Sequence, residues 1–467
     1  MKEKLPVIAV FDIGKTNKKL LVFNTRYEVV AEESTSFPEQ LDEDGFACED
    51  LDRLTNWILQ HVEELKQSGE FDLKAINFST YGASVVYIDV TGKRISPLYN
   101  YLKPYPDQLM QQFTASYGSS DKIGVETSSP IMGHLNAGLQ LYWLKYERPA
   151  VYEQLAAVLH FPQYLSFLLT GHIVAEMTNL GCHSAMWSFR EKKYHPWLAE
   201  EGISNKLAGI ARGNEATEIA NDNGSVVVGV GLHDSSAAVI PYLASFRDPF
   251  VIVSTGTWTV SLNPFNRDMP GAGELAGGCL SYLTYEGDPV KASMLFAGHD
   301  HDKQLARICA QFEREPAYFR SLPYDAQLMG LVKSSTAEIP GTATIGLPTD
   351  PCIFHTRDLG LFESAGHAYH QLLADIIERQ AKATRMVLVN SQVSKMFVDG
   401  GFCQNNIYMQ LLADAFPEME VYSTSMVQGT ALGAALAIHD HWNTEPLPAS
   451  LIRLKKWNHS TLNHPVG

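Results

Sequence analysis

The sequence predicts an α/β protein of two domains, and three observations carry that expectation. The chain has 467 residues, 45% hydrophobic and 19% charged, enough to bury more than one core. Two segments, Pro6 to Phe23 and Phe250 to Leu262, each read as strand, polar glycine turn, strand, and each opens one half of the chain. Two further segments, around Asp234 and Asp399, read as an apolar strand running through glycine into a helix. Arg247-Asp248-Pro249 is the natural linker, which divides the chain into domains 1–245 and 246–467.

Composition excludes several classes. The formal net charge of −16 argues against a nucleic-acid surface, which needs clustered lysine and arginine. No window approaches the roughly 18 apolar residues of a membrane span, and the start leads straight into a strand, so no membrane association and a cytoplasmic location are expected. The six cysteines are scattered with no Cys-x-x-Cys pair, so neither a disulfide framework nor a zinc site is expected. A homodimer would be an ordinary assembly for a soluble enzyme.

The first hairpin turns through Gly14-Lys15-Thr16-Asn17. Backbone amides and a hydroxyl in such a turn can converge on an anion, and Lys15, Lys18 and Lys19 could add positive charge. Asp12, ending the first strand, would face that anion only with a divalent cation between them. A plain surface hairpin with solvated lysines is the competing reading. An amphipathic helix follows over Asp50 to Lys66, with Leu51, Leu54, Trp57, Ile58, Val62 and Leu65 inward. Next come a strand to Thr80, a loop through Tyr81-Gly82-Ala83-Ser84 and another strand. Tyr81 there either borders a ligand or packs.

From Gly138 to Leu169 the spacing predicts helix throughout, with Leu139, Tyr142, Trp143 and Tyr146 as one buried stripe. Glu176 to Asn179 and Cys182-His183-Ser184 offer polar groups to which spacing assigns no role. The strand Ser225 to Val230 leads through Gly231-Leu232-His233-Asp234 to a helix, holding a carboxylate at a strand's carboxyl end. On this stretch alone, a helix cap competes with a catalytic base, and the cap is the more economical reading.

The second half begins with the turn Ser254-Thr255-Gly256-Thr257-Trp258, so phosphate-sized turns open both halves and a nucleotide held by two related domains is expected. Pro270 to Pro351 is rich in Gly and Pro. His299, Asp300, His301 and Asp302 look metal-like, but successive positions aim side chains in different directions and no metal site is expected. A helix from Ser364 to Val389 precedes the strand into Asp399-Gly400-Gly401, which repeats the arrangement at Asp234. The small-residue helix Gly429 to Ala437 can pack tightly behind such a site, though simple helix packing is the preferred reading.

In this order the Asp12-Ile13-Gly14-Lys15-Thr16 hairpin, Gly231-Leu232-His233-Asp234, Ser254-Thr255-Gly256-Thr257-Trp258 and Asp399-Gly400-Gly401 through Gln404-Asn405 to Ala413-Asp414 resemble the FGGY family of carbohydrate kinases. The resemblance implies two actin-like (ribonuclease H-like) domains with a nucleotide- and sugar-binding cleft between them. It implies ATP and Mg²⁺ as cofactors and transfer of the γ-phosphoryl to a hydroxyl of a small sugar.

Asp234 then matches the catalytic base, and Asp12, with Asp234, the metal-organising carboxylates. Gly14, Lys15, Thr16, Asn17 and Lys19 match the first phosphate loop, Gly256 and Thr257 the second, and Gly400, Gly401, Gln404 and Asn405 the adenosine end. Tyr81, Gly82, Ala83 and His233 would border the sugar. Phe161 to Leu165, Leu169-Thr170-Gly171 and Glu176 to Asn179 are most similar to the rhamnulokinase and fuculokinase branch, implying a (deoxy)ketose such as L-rhamnulose or L-fuculose. The alternatives are xylulose, ribulose or a polyol, and an actin-like nucleotide-binding protein without sugar kinase activity. Lys15, Gln163 and the non-acidic Tyr81 to Ser84 loop depart from the family's usual residues.

Overall fold

The computed structural model describes residues 3–221, 224–332, 348–424, 428–449 and 451–459. They form two compact units. Unit 1 holds Met1–Ser245, Ser281–Pro289 and Gln428–Leu451, and unit 2 holds Phe246–Leu280, Val290–Val427 and Ile452–Gly467. Residues 281–289 and 428–451, beyond the expected boundary, therefore belong to unit 1.

The sheet of unit 1 is built around Leu5–Ile13, whose Val7 to Phe11 are buried on both faces, the pattern of a central strand. One side carries the antiparallel strands Lys18–Asn24 and Val29–Thr35. The other carries Phe71–Thr80, parallel to it, then Gly224–Gly229, parallel again, and antiparallel Ala216–Asn221. Helix Leu51–Lys66 starts at Asp50, whose carboxylate accepts the Arg53 N–H, and buries Leu51, Leu54, Ile58, Val62 and Leu65.

Unit 2 repeats this plan. Phe250–Thr255 pairs antiparallel with Thr259–Asn263, which pairs antiparallel with Pro289–Leu295. On its other side run Lys395–Gly400 and Glu420–Thr424, both parallel, and antiparallel Leu454–Trp457. The two hairpins foreseen in the sequence thus occupy the same sheet position in each unit.

Three expectations are corrected. The strand into Asp399 lies beside its unit's first strand, so its counterpart is Phe71–Thr80 and not the strand before Asp234, whose counterpart is Glu420–Thr424. The helical run 138–169 is interrupted by strand Ala157–His160, which pairs with Val85–Ile88. Tyr146 is 42% exposed, its hydroxyl donating to Glu201, because the helix Ala137–Glu147 reaches solvent in its last turn. In the Gly/Pro-rich midsection, helices Ala297–Phe312, Pro316–Arg320 and Ala326–Leu331 are formed, and 333–347 lie outside the described residues. No helix among the described residues is long and apolar enough to cross a membrane.

Candidate active site

Unit 1 brings two carboxylates to the carboxyl ends of the two strands that flank Phe71–Thr80. Asp12 lies in register with Ser79 on one side and Lys19 on the other. Asp234 follows the short strand Leu232–His233, which pairs with Ser79 and Thr80 of that same neighbour. It is the first residue of helix Asp234–Ala237, with His233 in the capping position. Its Oδ1 accepts the N–H of the adjacent Ser235 at 2.5 Å, so it does not reach the deeper amides that a cap satisfies.

Buried polar groups fix this loop. Asn77 donates to the Ala434 carbonyl at 2.7 Å and accepts the Gly231 N–H at 3.2 Å. Gln163 donates from its amide nitrogen to the carbonyls of Val230 and Gly231 at 3.1 and 2.8 Å, which an ionised aspartate could not do. Gly231 has φ +83°, and a Cβ would stand 2.7 Å from the Pro162 carbonyl oxygen. Helix Gly429–Ala437 presses against Asp234–Ala237 so closely that a Cβ on Gly433 would lie 1.8 Å from the Ala237 oxygen. The small-residue helix therefore backs Asp234 in unit 1 and not the Gly400-Gly401 turn, and its small residues admit a backbone, the helix packing preferred for it.

The turn after Asp12 is tighter and less cationic than its composition implied. The Gly14 N–H donates to the Asn17 carbonyl at 2.9 Å, leaving Thr16 and Asn17 exposed at the tip. Lys15 pairs with Glu39 at 2.6 Å, and buried Lys18 pairs with Glu49 at 2.9 Å. Lys19 is the lysine whose charge acts on Asp12.

Burial, and then the negative charge of Asp234, push the Asp12 carboxyl up to about 7, against the pull of Lys19. Burial likewise pushes Asp234 up to about 6, partly offset by the Ser235 amide and hydroxyl. Unperturbed aspartate titrates near 4, so between about pH 4 and 7 the folded chain binds more protons than the unfolded one, and stability falls as pH rises. Asp12→Asn removes one of these charges. Thermal melts should place the variant above wild type at about pH 8, with the two converging as pH falls towards about 4. A variant melting below wild type at the higher pH would mean that the Asp12 charge is stabilising.

The loop after Thr80 divides its roles. Tyr81 is buried against Phe161 and Tyr101 and donates its hydroxyl to Glu49 at 3.2 Å, the packed alternative foreseen for it. At Gly82 a Cβ would come within 3.0 Å of both Cys182 Sγ and the His233 ring, and Ala83 takes φ +56° while its carbonyl accepts from Gln140. His233 Nε2 stands 3.1 Å from Asp234 Oδ1 and 3.1 Å from Cys182 Sγ, and burial holds the imidazole neutral, down to about 3.

Sequence reasoning missed the support beneath it. Buried Glu176 holds Thr178 by its N–H and hydroxyl, and the Thr178 hydroxyl accepts the His233 N–H at 2.9 Å. Only the polar cluster at 176–179 hinted at this.

Unit 2 carries a cavity of about 710 Å³ lined by Gly256, Thr257, Gly401, Gln404 and Asn405, five of the six positions expected there. Gly400 borders the neighbouring cavity of about 760 Å³ instead, together with Gly401 and Gln404. Thr255 joins the two motifs, its hydroxyl donating to the Asp399 carbonyl and accepting the Phe402 N–H. Gly400 has φ +80°, and a Cβ would fall 1.9 Å from the Thr255 oxygen. Asn405 caps helix Asn406–Ala415 through its side-chain oxygen while its amide donates to the Tyr369 hydroxyl at 2.8 Å.

Helix Ala297–Phe312 was not foreseen here. Its second residue, Gly298, lines the cavity, and the His299 N–H donates to the Thr257 carbonyl at 3.1 Å. The helix aims its amino end at the Gly256 turn, a favourable place for an anion. His301, Asp302, Arg320 and Tyr369 complete the wall. The His299 to Asp302 run diverges only in part: His299 stacks on Phe296 and Asp300 accepts the Cys352 N–H, whereas His301 bonds Tyr369 through Nε2 and meets Asp302 Oδ1 at 3.0 Å through Nδ1.

A sheet plan used twice, an acidic pair in one unit and a glycine-walled cavity in the other fit an α/β protein of the two-domain carbohydrate-kinase fold. The chain belongs to the FGGY family of carbohydrate kinases, whose N-terminal domain model matches residues 7–240 and whose C-terminal domain model matches 247–446. A rhamnulokinase of Oceanobacillus iheyensis is 25% identical over 259 residues, 53% of this chain and 54% of that protein. An L-fuculokinase of Haemophilus influenzae is 24% identical over 279 residues, 55% of this chain and 57% of that protein. The chain thus spans about half the length of these relatives. A rhamnulokinase of Yersinia pestis bv. Antiqua is 24% identical over 446 residues, 87% of this chain and 85% of that protein. The same fold occurs in a xylulose kinase from Lactobacillus acidophilus, with TM-score 0.78, 17% identity and coverage of 98% and 94% of the two chains.

Proposed function

We propose that this chain is an ATP-dependent sugar kinase that transfers the γ-phosphoryl of ATP to a hydroxyl of a (deoxy)ketose such as L-rhamnulose or L-fuculose. The observation that carries the reading is the Asp12 and Asp234 pair at the ends of the two strands flanking Phe71–Thr80, with Asp234 pushed up to about 6 and so matched to proton acceptance near neutrality. Likeness to rhamnulokinases and an L-fuculokinase supports the substrate class.

In this reading the N-terminal half, 1–245, supplies the sugar site and base, and the C-terminal half, 246–467, supplies the ATP site. Asp234 accepts the hydroxyl proton as that oxygen attacks the γ-phosphorus. His233, held neutral with Nε2 3.1 Å from Asp234 Oδ1, stands beside the carboxylate and borders the sugar with Gly82 and Ala83. The Gly256-Thr257 turn and the amino end of Ala297–Phe312 bind phosphate, while the cavity floor of Gly401 and Gln404 takes the adenosine end. Gly14 to Asn17 and Lys19 serve the phosphates from unit 1, with Lys15 reaching them only by leaving Glu39.

A carboxyl group whose proton affinity is raised by a neighbouring carboxylate, as that of Asp12 is by Asp234, fits a divalent cation, so Asp12 and Asp234 would hold Mg²⁺, which when bound neutralises phosphate charge. A coupled ADP-release screen over ketoses, deoxyketoses and polyols tests the proposal. L-rhamnulose or L-fuculose should stimulate release. Equal release with and without every sugar would reject kinase activity, and strict preference for glycerol or D-xylulose would reject the substrate class.

A further inference from the structure

We propose that Cys182, His183 and His233 form a site in unit 1 for a borderline-soft divalent cation of the zinc class. One ligand atom from each lies within 4.8 Å of the other two, and all three residues are buried. Among the described residues no other group of three such side chains meets this spacing. A tetrahedral zinc site with bonds of about 2.0–2.3 Å spaces its ligands about 3.3–3.6 Å apart. The Cys182 Sγ to His233 Nε2 distance is already 3.1 Å, so the widest gap must close by about 1 Å.

The surroundings are those of a ligand shell. His183 Nδ1 donates to the Leu135 carbonyl at 2.9 Å, which leaves its Nε2 with a lone pair and fixes the ring, as an outer partner does for a metal-binding histidine. His183 is held at φ +36°, a conformation that costs a non-glycine residue energy, while the Asn136 amide donates to its carbonyl at 2.8 Å. The Tyr282 hydroxyl lies against the thiol, and Gly82 leaves the space beside Sγ and the His233 ring clear of a Cβ.

Nitrogen and sulfur donors select zinc, cobalt or copper over magnesium or calcium. On binding, the Cys182 thiol releases its proton to solvent, and the His233 imidazole carries its proton on Nδ1 so that Nε2 can bind. The fourth position falls to water or to the Asp234 carboxylate, whose Oδ1 is 3.1 Å from His233 Nε2. If Asp234 is the base proposed above, such a cation also inhibits the enzyme.

Cobalt reports the site without any substrate. Titrating Co²⁺ into the full chain should produce a thiolate-to-cobalt charge-transfer band saturating at one ion per chain and displaced by Zn²⁺. Cys182→Ser should abolish the band, His183→Gln should weaken cobalt binding at least tenfold, and Cys403→Ser should leave it unchanged. Absence of the band in wild type, or its persistence in Cys182→Ser, overturns the site. Either result leaves sugar-dependent ADP release untouched, so the two proposals fail separately.

Discussion

Asp234→Asn should reduce turnover by roughly 10²–10⁴-fold while nucleotide affinity and melting temperature hold or rise. Asparagine keeps the shape of the side chain, and its carbonyl oxygen can still accept the Ser235 N–H that now reaches Asp234 Oδ1 at 2.5 Å. The loop itself is fixed elsewhere, by Asn77, Gln163 and the contact of Gly433 on Ala237. What the substitution removes is the capacity to take a proton. A cap and a base therefore separate cleanly: loss of a cap costs about 1 kcal/mol of stability and spares chemistry, whereas loss of a base spares stability. Because burial raises the Asp234 carboxyl, removing its charge relieves the folded state above about pH 6. Steady-state turnover, nucleotide titration and thermal melts on one preparation decide between them. Near-normal turnover with a lowered melting temperature would return Asp234 to a capping role.

The parts of the fold that were legible in the sequence are those written in local runs. The two glycine-threonine hairpins and the helices 51–66 and 365–388 are each encoded by contiguous periodicity and a nearby turn or cap, and each stands where it was read. The equivalence of the Asp234 and Asp399 segments failed because strand, glycine and helix look alike in either sheet position. Position is set by pairing partners over a hundred residues away, such as Phe250–Thr255 beside Lys395–Gly400.

Strand Ala157–His160 was hidden for a related reason, since three apolar residues and a histidine between two helices carry no periodicity of their own. The Cys182, His183 and His233 cluster likewise has no motif, because 51 residues separate Cys182 from His233 and only the fold brings them to 3.1 Å. Lys15 and Lys18 show the opposite limit. Composition revealed their charges, and the acidic partners Glu39 and Glu49 that neutralise them lie on other segments.

Gly298→Ala should weaken nucleotide binding by about 10- to 100-fold, the counterpart in unit 2 of the Asp234 result. A Cβ at this position would stand 1.9 Å from the Gly256 carbonyl oxygen and 3.1 Å from that of Thr257. Alanine favours a helix over glycine by up to about 1 kcal/mol, so propensity alone predicts a gain. The overlap decides the sign, because the obstructing atoms are backbone and no rotamer change can clear them. Forcing a methyl group into such a contact costs about 1–3 kcal/mol through backbone displacement.

The element displaced is the one that matters. The helix end would move off the Gly256-Thr257 turn, breaking the 3.1 Å bond from the His299 N–H to the Thr257 carbonyl and turning the amino end away from the phosphate position. Gly401 and Gln404 would remain in place to admit the adenosine end, so the loss should fall more heavily on ADP and ATP than on adenosine. Titrations of the three ligands measure that difference directly. Equal weakening for all three would indicate general collapse of the cavity, and unchanged ATP affinity would mean that the Gly256-Thr257 turn does not hold phosphate.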